Sequence, residues 1–162
     1  MSDATVTHLF TAPAMSQAMA GHESISTLAG EGIEGDRYLL KTGTYSKKPE
    51  PGRQSTLVEG EILSALKERH GLTVLPEQCR RNVVTQGIEL NPLVGREIMV
   101  GPARLKVHRL CQPCRYIEKL LDQPGLYEAW WDKGGIRCEI LVGGTISVGD
   151  AIAFLESAEA AE

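Results

Sequence analysis

The feature that most restricts the fold is a period-two alternation of apolar and polar residues in short runs, closed by glycine or proline. Ala103, Leu105 and Val107 alternate with Arg104, Lys106 and His108, and Ile136, Cys138, Ile140 and Val142 repeat the pattern later. Successive side chains of a strand point to opposite faces, so such runs predict half-buried strands. Thr7 to Phe10, Ile25 to Leu28, Gln54 to Val58, Val83–Val84, Arg96 to Gly101 and Ala151 to Leu155 extend the set. Between them lie turn signals: the Gly30-Glu31-Gly32-Ile33-Glu34-Gly35 segment, Asn91–Pro92, Gly101–Pro102 and Gly149–Asp150. Gly143–Gly144 predicts a hairpin.

Helical period is rare. Ile62, Ala65 and Leu66 fall at i, i+3, i+4 within Glu59 to His70, and Gly71 is placed to end that helix. Ile117, Leu120 and Leu121 predict a short second helix, and Leu126 to Trp131 a third. Many short strands and few helices predict a mainly β fold, a β-barrel with small helical insertions. At 162 residues, one domain is expected over 1–156, with a frayed Ala/Glu tail over 157–162. Lys41 to Arg53 is polar, rich in Gly and Pro, and reads as an exposed loop.

Charge and patterning exclude several classes. The formal net charge is −4, which gives no global basic field for nucleic acid. No apolar run could span a bilayer. The start, Met1-Ser2-Asp3-Ala4, lacks the pattern of a signal peptide. A cytoplasmic protein with reduced thiols is therefore expected. Neither a Rossmann glycine pattern nor a P-loop is present. Arg80–Arg81, the Arg104 to Arg109 stretch, Arg115 and Arg137 suit a small anionic ligand better than a long polyanion.

Two of the four cysteines share one loop, Leu110-Cys111-Gln112-Pro113-Cys114-Arg115. It follows a basic strand and precedes a helix, and both surroundings favour the thiolate. Cys114 is the expected functional thiol, the alternative being a small buried hydrophobe. Cys111 is either packed or a resolving thiol for Cys114. A zinc half-site is a further reading of Cys-x2-Cys, but Cys79, Cys138 and His108 supply no second paired motif, so zinc is not expected.

With its surroundings the loop resembles the MOSC domain, found at the C-terminus of molybdenum cofactor sulfurases, in stand-alone bacterial proteins and in mitochondrial amidoxime-reducing enzymes. The matching segments come in order: Gly32-Ile33-Glu34-Gly35-Asp36-Arg37, Arg53-Gln54, Arg80-Arg81-Asn82 with Gly87 and Leu90, Leu93-Val94-Gly95, Pro113-Cys114, and Thr145-Ile146-Ser147-Val148-Gly149-Asp150. The resemblance implies a MOSC-type barrel of mostly antiparallel strands, with Cys114 at the family's hallmark position. In sulfurase relatives that thiol accepts or holds sulfur. In amidoxime-reducing relatives it ligates molybdenum, and basic and amide side chains meet the pterin cofactor. By position Arg80 and Asn82 match that set, and Asp36–Arg37 extends it. Compared with those relatives, the chain lacks the separate N-terminal barrel region and the pyridoxal-phosphate desulfurase domain.

The residues also carry plainer readings. Arg80–Arg81–Asn82, with Arg115, form either a donor set for phosphate or a solvated basic corner. Asp36–Arg37 serves such a ligand or only fixes the glycine loop. Trp130–Trp131 is half core and half surface, or stacks on a planar ring. Glu59 reads as a charge at a helix N-terminus rather than a catalytic acid. Three functions follow. The first is a thiol that carries sulfane sulfur from a donor to an acceptor protein, or ligates a molybdenum cofactor in a reductase of N-hydroxylated compounds. The second is a non-catalytic module for a pterin phosphate or other small anion. The third is a Cys111/Cys114 redox switch.

Overall fold

The computed structural model describes residues 4–14, 17–40 and 51–155. The 157–162 tail and most of the Lys41 to Arg53 loop lie outside the described residues.

Eleven strands are described: β1 Thr5–Thr11, β2 Ala20–His22, β3 Ser24–Leu28, β4 Gly32–Ile33, β5 Ser55–Glu59, β6 Val83–Gln86, β7 Glu97–Val100, β8 Ala103–Leu110, β9 Ile136–Val142, β10 Gly144–Ser147 and β11 Ile152–Phe154. The helices are α1 Arg37–Leu40, α2 Gly60–His70, α3 Arg115–Leu121 and α4 Leu126–Trp130. One eight-stranded sheet runs β11-β7-β8-β9-β5-β6-β1-β2, and a three-stranded sheet runs β10-β3-β4. All pairings are antiparallel except β5–β6, which are parallel with α2 between them, as a parallel pair requires a crossover. At the end of α2, Gly71 takes φ 67° and Leu72 N–H donates to Leu66 O at 3.1 Å, a glycine-closed helix end.

The fold is mainly β with few helices, but the sheets are not closed into a barrel. An isolated bridge, Thr5 to Ala151, joins β1 to the residue before β11 without forming a ladder. The predicted Gly143–Gly144 hairpin is also corrected. β9 and β10 belong to different sheets, and β10 pairs with β3, Ile146 opposite Ile25. The reason is a close crossing: a Cβ on Gly143 would sit 2.4 Å from Thr27 O. Thr27 Oγ1 then donates to Gly144 O at 2.7 Å and accepts from Gly144 N–H at 2.9 Å. The glycines serve a change of sheet rather than a tight turn.

The strands are two-sided. Leu57 and Val83 join Leu105, Val107, Ile136, Cys138 and Ile140 in one core cluster. Their sequence neighbours Val58 and Val84 join Phe10, Leu63, Leu66, Ile117, Leu126 and Trp130 in the second. The second core packs the helices against the sheet, and it sets the position of the loop before α3. Apolar residues at element ends escape burial: Val142 closes β9 and Leu120 lies near the end of α3, and both are exposed. Among the described residues no helix is long and apolar enough to cross a membrane.

Candidate functional site

The four thiols divide sharply. Cys79, Cys111 and Cys138 are buried, and Cys114 is partly exposed. Burial pushes the Cys79 thiol up to about 11, and it raises Cys138 further. Both therefore stay protonated and inert at neutral pH. Cys114 is the thiol that solvent reaches, and it immediately precedes α3 with extended backbone, φ −126° and ψ 164°.

The loop that carries it is fastened on three sides. Cys111 N–H donates to Gly135 O at 2.7 Å, which ties the loop to the chain entering β9. Gln112 grips Asp132, two residues past α4, twice: its Nε2 donates to Asp132 Oδ1 and its Oε1 accepts from Asp132 N–H, both at 2.7 Å. Asp132 holds φ 67°, and its carbonyl accepts from Asn91 Nδ2 at 2.7 Å. The third fastening is Arg81. Its Nε donates to Gly134 O at 2.7 Å, its NH2 to Cys111 O at 3.1 Å and its NH1 to Cys79 O at 3.4 Å. The guanidinium also lies over the Trp130 ring, 5.0 Å from the centroid.

Arg81 is thus buried and engaged with protein carbonyls. So is Asn82. Its Oδ1 accepts from Thr56 N–H and Oγ1, both at 3.1 Å, and its Nδ2 donates to Phe10 O at 3.2 Å. Asn82 thus ties β5 and β1 together at the start of β6, and Arg81 ties the cysteine loop to the segments around Cys79 and Gly134.

Asp36 is buried too. Its Oδ1 accepts from Ala12 N–H at 3.0 Å and from Arg37 NH1 at 3.2 Å. Arg37 NH2 donates to Arg80 O at 3.0 Å, so the glycine segment and the Arg80 backbone are one linked unit. Arg80 itself has φ 62°, an uncommon conformation for a non-glycine residue. Its guanidinium donates to Gln17 O, and burial followed by the Arg37 charge pulls it below the usual arginine range. Strained backbone at a candidate site is a recognised mark of functional geometry. Arg115 turns along the helical flap formed by α3 and α4, to Glu118 at 3.2 Å and Glu128 at 2.8 Å, and stacks on Tyr127.

Trp130 is fully buried and Trp131 is 44% exposed, its ring tilted at 42° to that of Tyr127 with centroids 5.4 Å apart, so the pair divides between core and surface. Glu59 accepts from Leu90 N–H at 3.1 Å, and burial raises its carboxyl. It pins a loop far in sequence from the cysteines. Among the described residues no group of three or more His, Cys, Asp or Glu side chains lies together as a protein-built metal site would.

Sequence reasoning named Arg109 and Arg137 among the basic residues but missed that they meet at the foot of the loop. Arg109 on β8 stands directly opposite Arg137 on β9. Arg53 belongs to a 3-10 turn, Pro51–Arg53, that packs against both strands. The turn is held by Gln54, whose Oε1 accepts from Ile140 N–H at 2.8 Å. The signal was there in the spacing: Arg109 lies two residues before Cys111, and Arg137 two after Gly135, the two ends joined by the Cys111–Gly135 bond.

The MOSC domain family model matches residues 44–153. No curated protein sequence matches the chain. Among solved structures, YuaD from Bacillus subtilis is similar with a TM-score of 0.73 and 23% identity, over 94% of this chain and 97% of that one. YiiM from Geobacillus stearothermophilus gives 0.72 and 15%, over 94% and 75%. YiiM from Escherichia coli gives 0.62 and 17%, over 96% and 69%. Identities this low establish a shared fold and nothing finer. The family match spans more than half of the 162 residues, includes both loop cysteines and agrees with that fold, and the chain belongs to the MOSC domain family.

Proposed function

We propose that this MOSC domain works through Cys114, as a carrier of sulfane sulfur or as the protein ligand of a molybdenum–pterin cofactor. One observation carries the reading: of four thiols only Cys114 is partly exposed, on a loop fastened at Cys111, Gln112 and Arg81. A soft thiolate suits either use.

As a carrier, the Cys114 thiolate attacks the outer sulfur of a persulfide donor. The donor's S–S bond breaks, a Cys114 persulfide forms, and the donor leaves as its thiolate, with no external oxidant. As a ligand, Cys114 would be the single protein donor to a metal whose pterin brings its own sulfurs. That donor set fits a site with one reachable thiol and no cluster of other ligands among the described residues. Arg80, with Arg37 behind it, would face the cofactor's anionic end. Bound molybdenum supplies oxygen-atom transfer, which makes reduction of N-hydroxylated compounds the matching enzymatic activity.

The test is elemental and pterin analysis of freshly isolated protein, with intact mass before and after reductant, on wild type and Cys114→Ser. Molybdenum with pterin, or a reducible gain of one sulfur, is expected in wild type and absent from the variant. A sulfur gain that survives in Cys114→Ser, or neither group in protein from a molybdenum-replete source offered a persulfide donor, overturns the reading. A Cys111–Cys114 disulfide as the sole change on oxidation would replace it with a redox switch.

A further inference from the structure

A cleft of about 420 Å³ opens between α2, strands β1 and β6, and the 73–76 loop. None of the residues lining it belongs to the cysteine loop, the glycine segment or the Arg80–Asn82 segment. Its volume falls in the range of small-molecule sites. Leu63, Val74 and Val84, members of the second core cluster, give it an apolar floor. An irregularity in the sheet shapes the wall above that floor. The register of β1 on β6 shifts between Val6 and His8, which leaves Thr7 as an extra residue. Neighbours on a regular strand face opposite ways, whereas here Thr7 and His8 both line the cleft. Bulges that re-aim side chains in this manner recur beside functional sites.

The helical wall carries the polarity. Glu61, Ser64 and Lys67 follow at steps of three along α2 and share one face. Six residues of helix set Glu61 about 9 Å from Lys67 along the axis. The acidic end is already engaged: Glu61 Oε2 accepts from Gly87 N–H at 2.8 Å. There α2 begins close against β6, and a Cβ on Gly60 would lie 3.1 Å from Thr85 O. The basic end differs. Among the described residues Lys67 makes no ion pair, and Ser64 Oγ makes no hydrogen bond. β1 and β6 are each paired on both sides, so the cleft offers no open strand edge to a peptide. The geometry points to a binding site for a small amphipathic carboxylate. Its apolar body lies over Leu63, Val74 and Val84, and its carboxylate meets the Lys67 ammonium and the Ser64 hydroxyl through charge-assisted hydrogen bonds. Glu61 at the far end repels a second negative charge, which limits the ligand to one. The site is independent of the sulfur or metal chemistry of Cys114.

Titration calorimetry with octanoate, phenylacetate and the uncharged octanamide tests this on the full chain. Wild type should bind at least one carboxylate saturably, and octanamide roughly tenfold more weakly than octanoate. The tighter of the two carboxylates assigns the body as an aliphatic chain or a ring. Lys67→Gln should lose roughly tenfold for the carboxylates and nothing for octanamide, whereas Lys119→Gln, an exposed lysine on α3, should match wild type. Ser64→Phe fills the cleft from an exposed helix position and should abolish binding of all three probes. Thermal melts of each variant confirm that it is folded. Amide NMR shifts on titrating octanoate into wild type should cluster at Thr7, His8, Leu63 and Val84. Failure of both carboxylates to bind at millimolar concentration, binding that survives in Ser64→Phe, or octanamide affinity equal to that of octanoate overturns the site. Cys114→Ser should bind octanoate as wild type does, so failure of the thiol chemistry and failure of the cleft are told apart.

Discussion

The two ends of the cysteine loop are held in opposite ways. At the sheet end, Arg81 and Asn82 are buried, and their side chains bond inside the protein, Arg81 to the carbonyls of Gly134, Cys111 and Cys79 and Asn82 to Thr56 and Phe10. At the flap end, Gln112 and Arg115 make their bonds in the open, to Asp132, Glu118 and Glu128. A polar group removed from buried surroundings leaves partners that water cannot satisfy, whereas an exposed bond is replaced by water at small cost. The sheet end should therefore govern stability, and the flap end should govern only how the loop presents Cys114.

The largest effect expected is at Gly135. It holds φ 103°, and a Cβ there would lie 2.0 Å from Leu57 O. Gly135→Ala forces both strain and a backbone clash where the loop joins β9, and should cost about 3–5 kcal/mol by chemical denaturation. Arg81→Ala follows at about 3 kcal/mol, since it strands buried carbonyls of Gly134 and Cys111. Arg115→Ala is the counterpart at the flap end, and its denaturation midpoint should match wild type within error. Comparable losses from Arg81→Ala and Arg115→Ala would break the comparison outright.

Much of this was legible in the chain. Alternation located β8 and β9, helical period located α2, and the glycines at 30, 32 and 35 do take positive φ. What was lost has a physical cause. β2 consists of Ala20, Gly21 and His22, all exposed, and a strand with no buried face leaves no apolar pattern. The change of sheet at Gly143 depends on how near Thr27 comes in space, a contact more than a hundred residues away in sequence. Cys114 was legible as the candidate thiol, and it is the partly exposed one of the four cysteines. The roles of Arg81 and Asn82 were not, because sequence shows a basic residue without showing whether its donors are already engaged. Arg109 and Arg137 were visible as basic residues, but their pairing exists only in the register of β8 on β9.

The next effect is alkaline. Cys79 sits in the sheet-end region, and its thiol ionises near 11 folded against an ordinary 9.0. Between those values the unfolded chain has released its proton and the folded chain has not. Stability is thus full below pH 9 and falls as pH rises to 11, by about 2–3 kcal/mol from Cys79 alone. Cys138, raised in the same direction, adds to the loss. Denaturation curves from pH 8 to 11 should show the decline, and Cys79→Ala should flatten it although it lowers stability at pH 8. A slope unchanged by that substitution would remove Cys79 as its source.

The smallest expected change in stability separates holding a fold from aiming a residue. Gln112→Ala deletes two short bonds to Asp132, both exposed, and should cost no more than about 1 kcal/mol. Its consequence belongs to Cys114. With Gln112 gone, the loop keeps the Cys111–Gly135 bond and the Arg81 bond on its sheet side and loses its tie to the end of α4. Cys114 then samples more positions, so the rate of its labelling by a disulfide reagent should rise several-fold while the buried thiols stay unlabelled. Gln112→Glu gives the complementary result. It keeps an acceptor for Asp132 N–H but sets a carboxylate against the Asp132 carboxylate, so labelling should quicken at least as much as in Gln112→Ala. Labelling that stays at the wild-type rate in both variants would mean the sheet end alone positions Cys114, and the division of labour between the two ends would collapse into one.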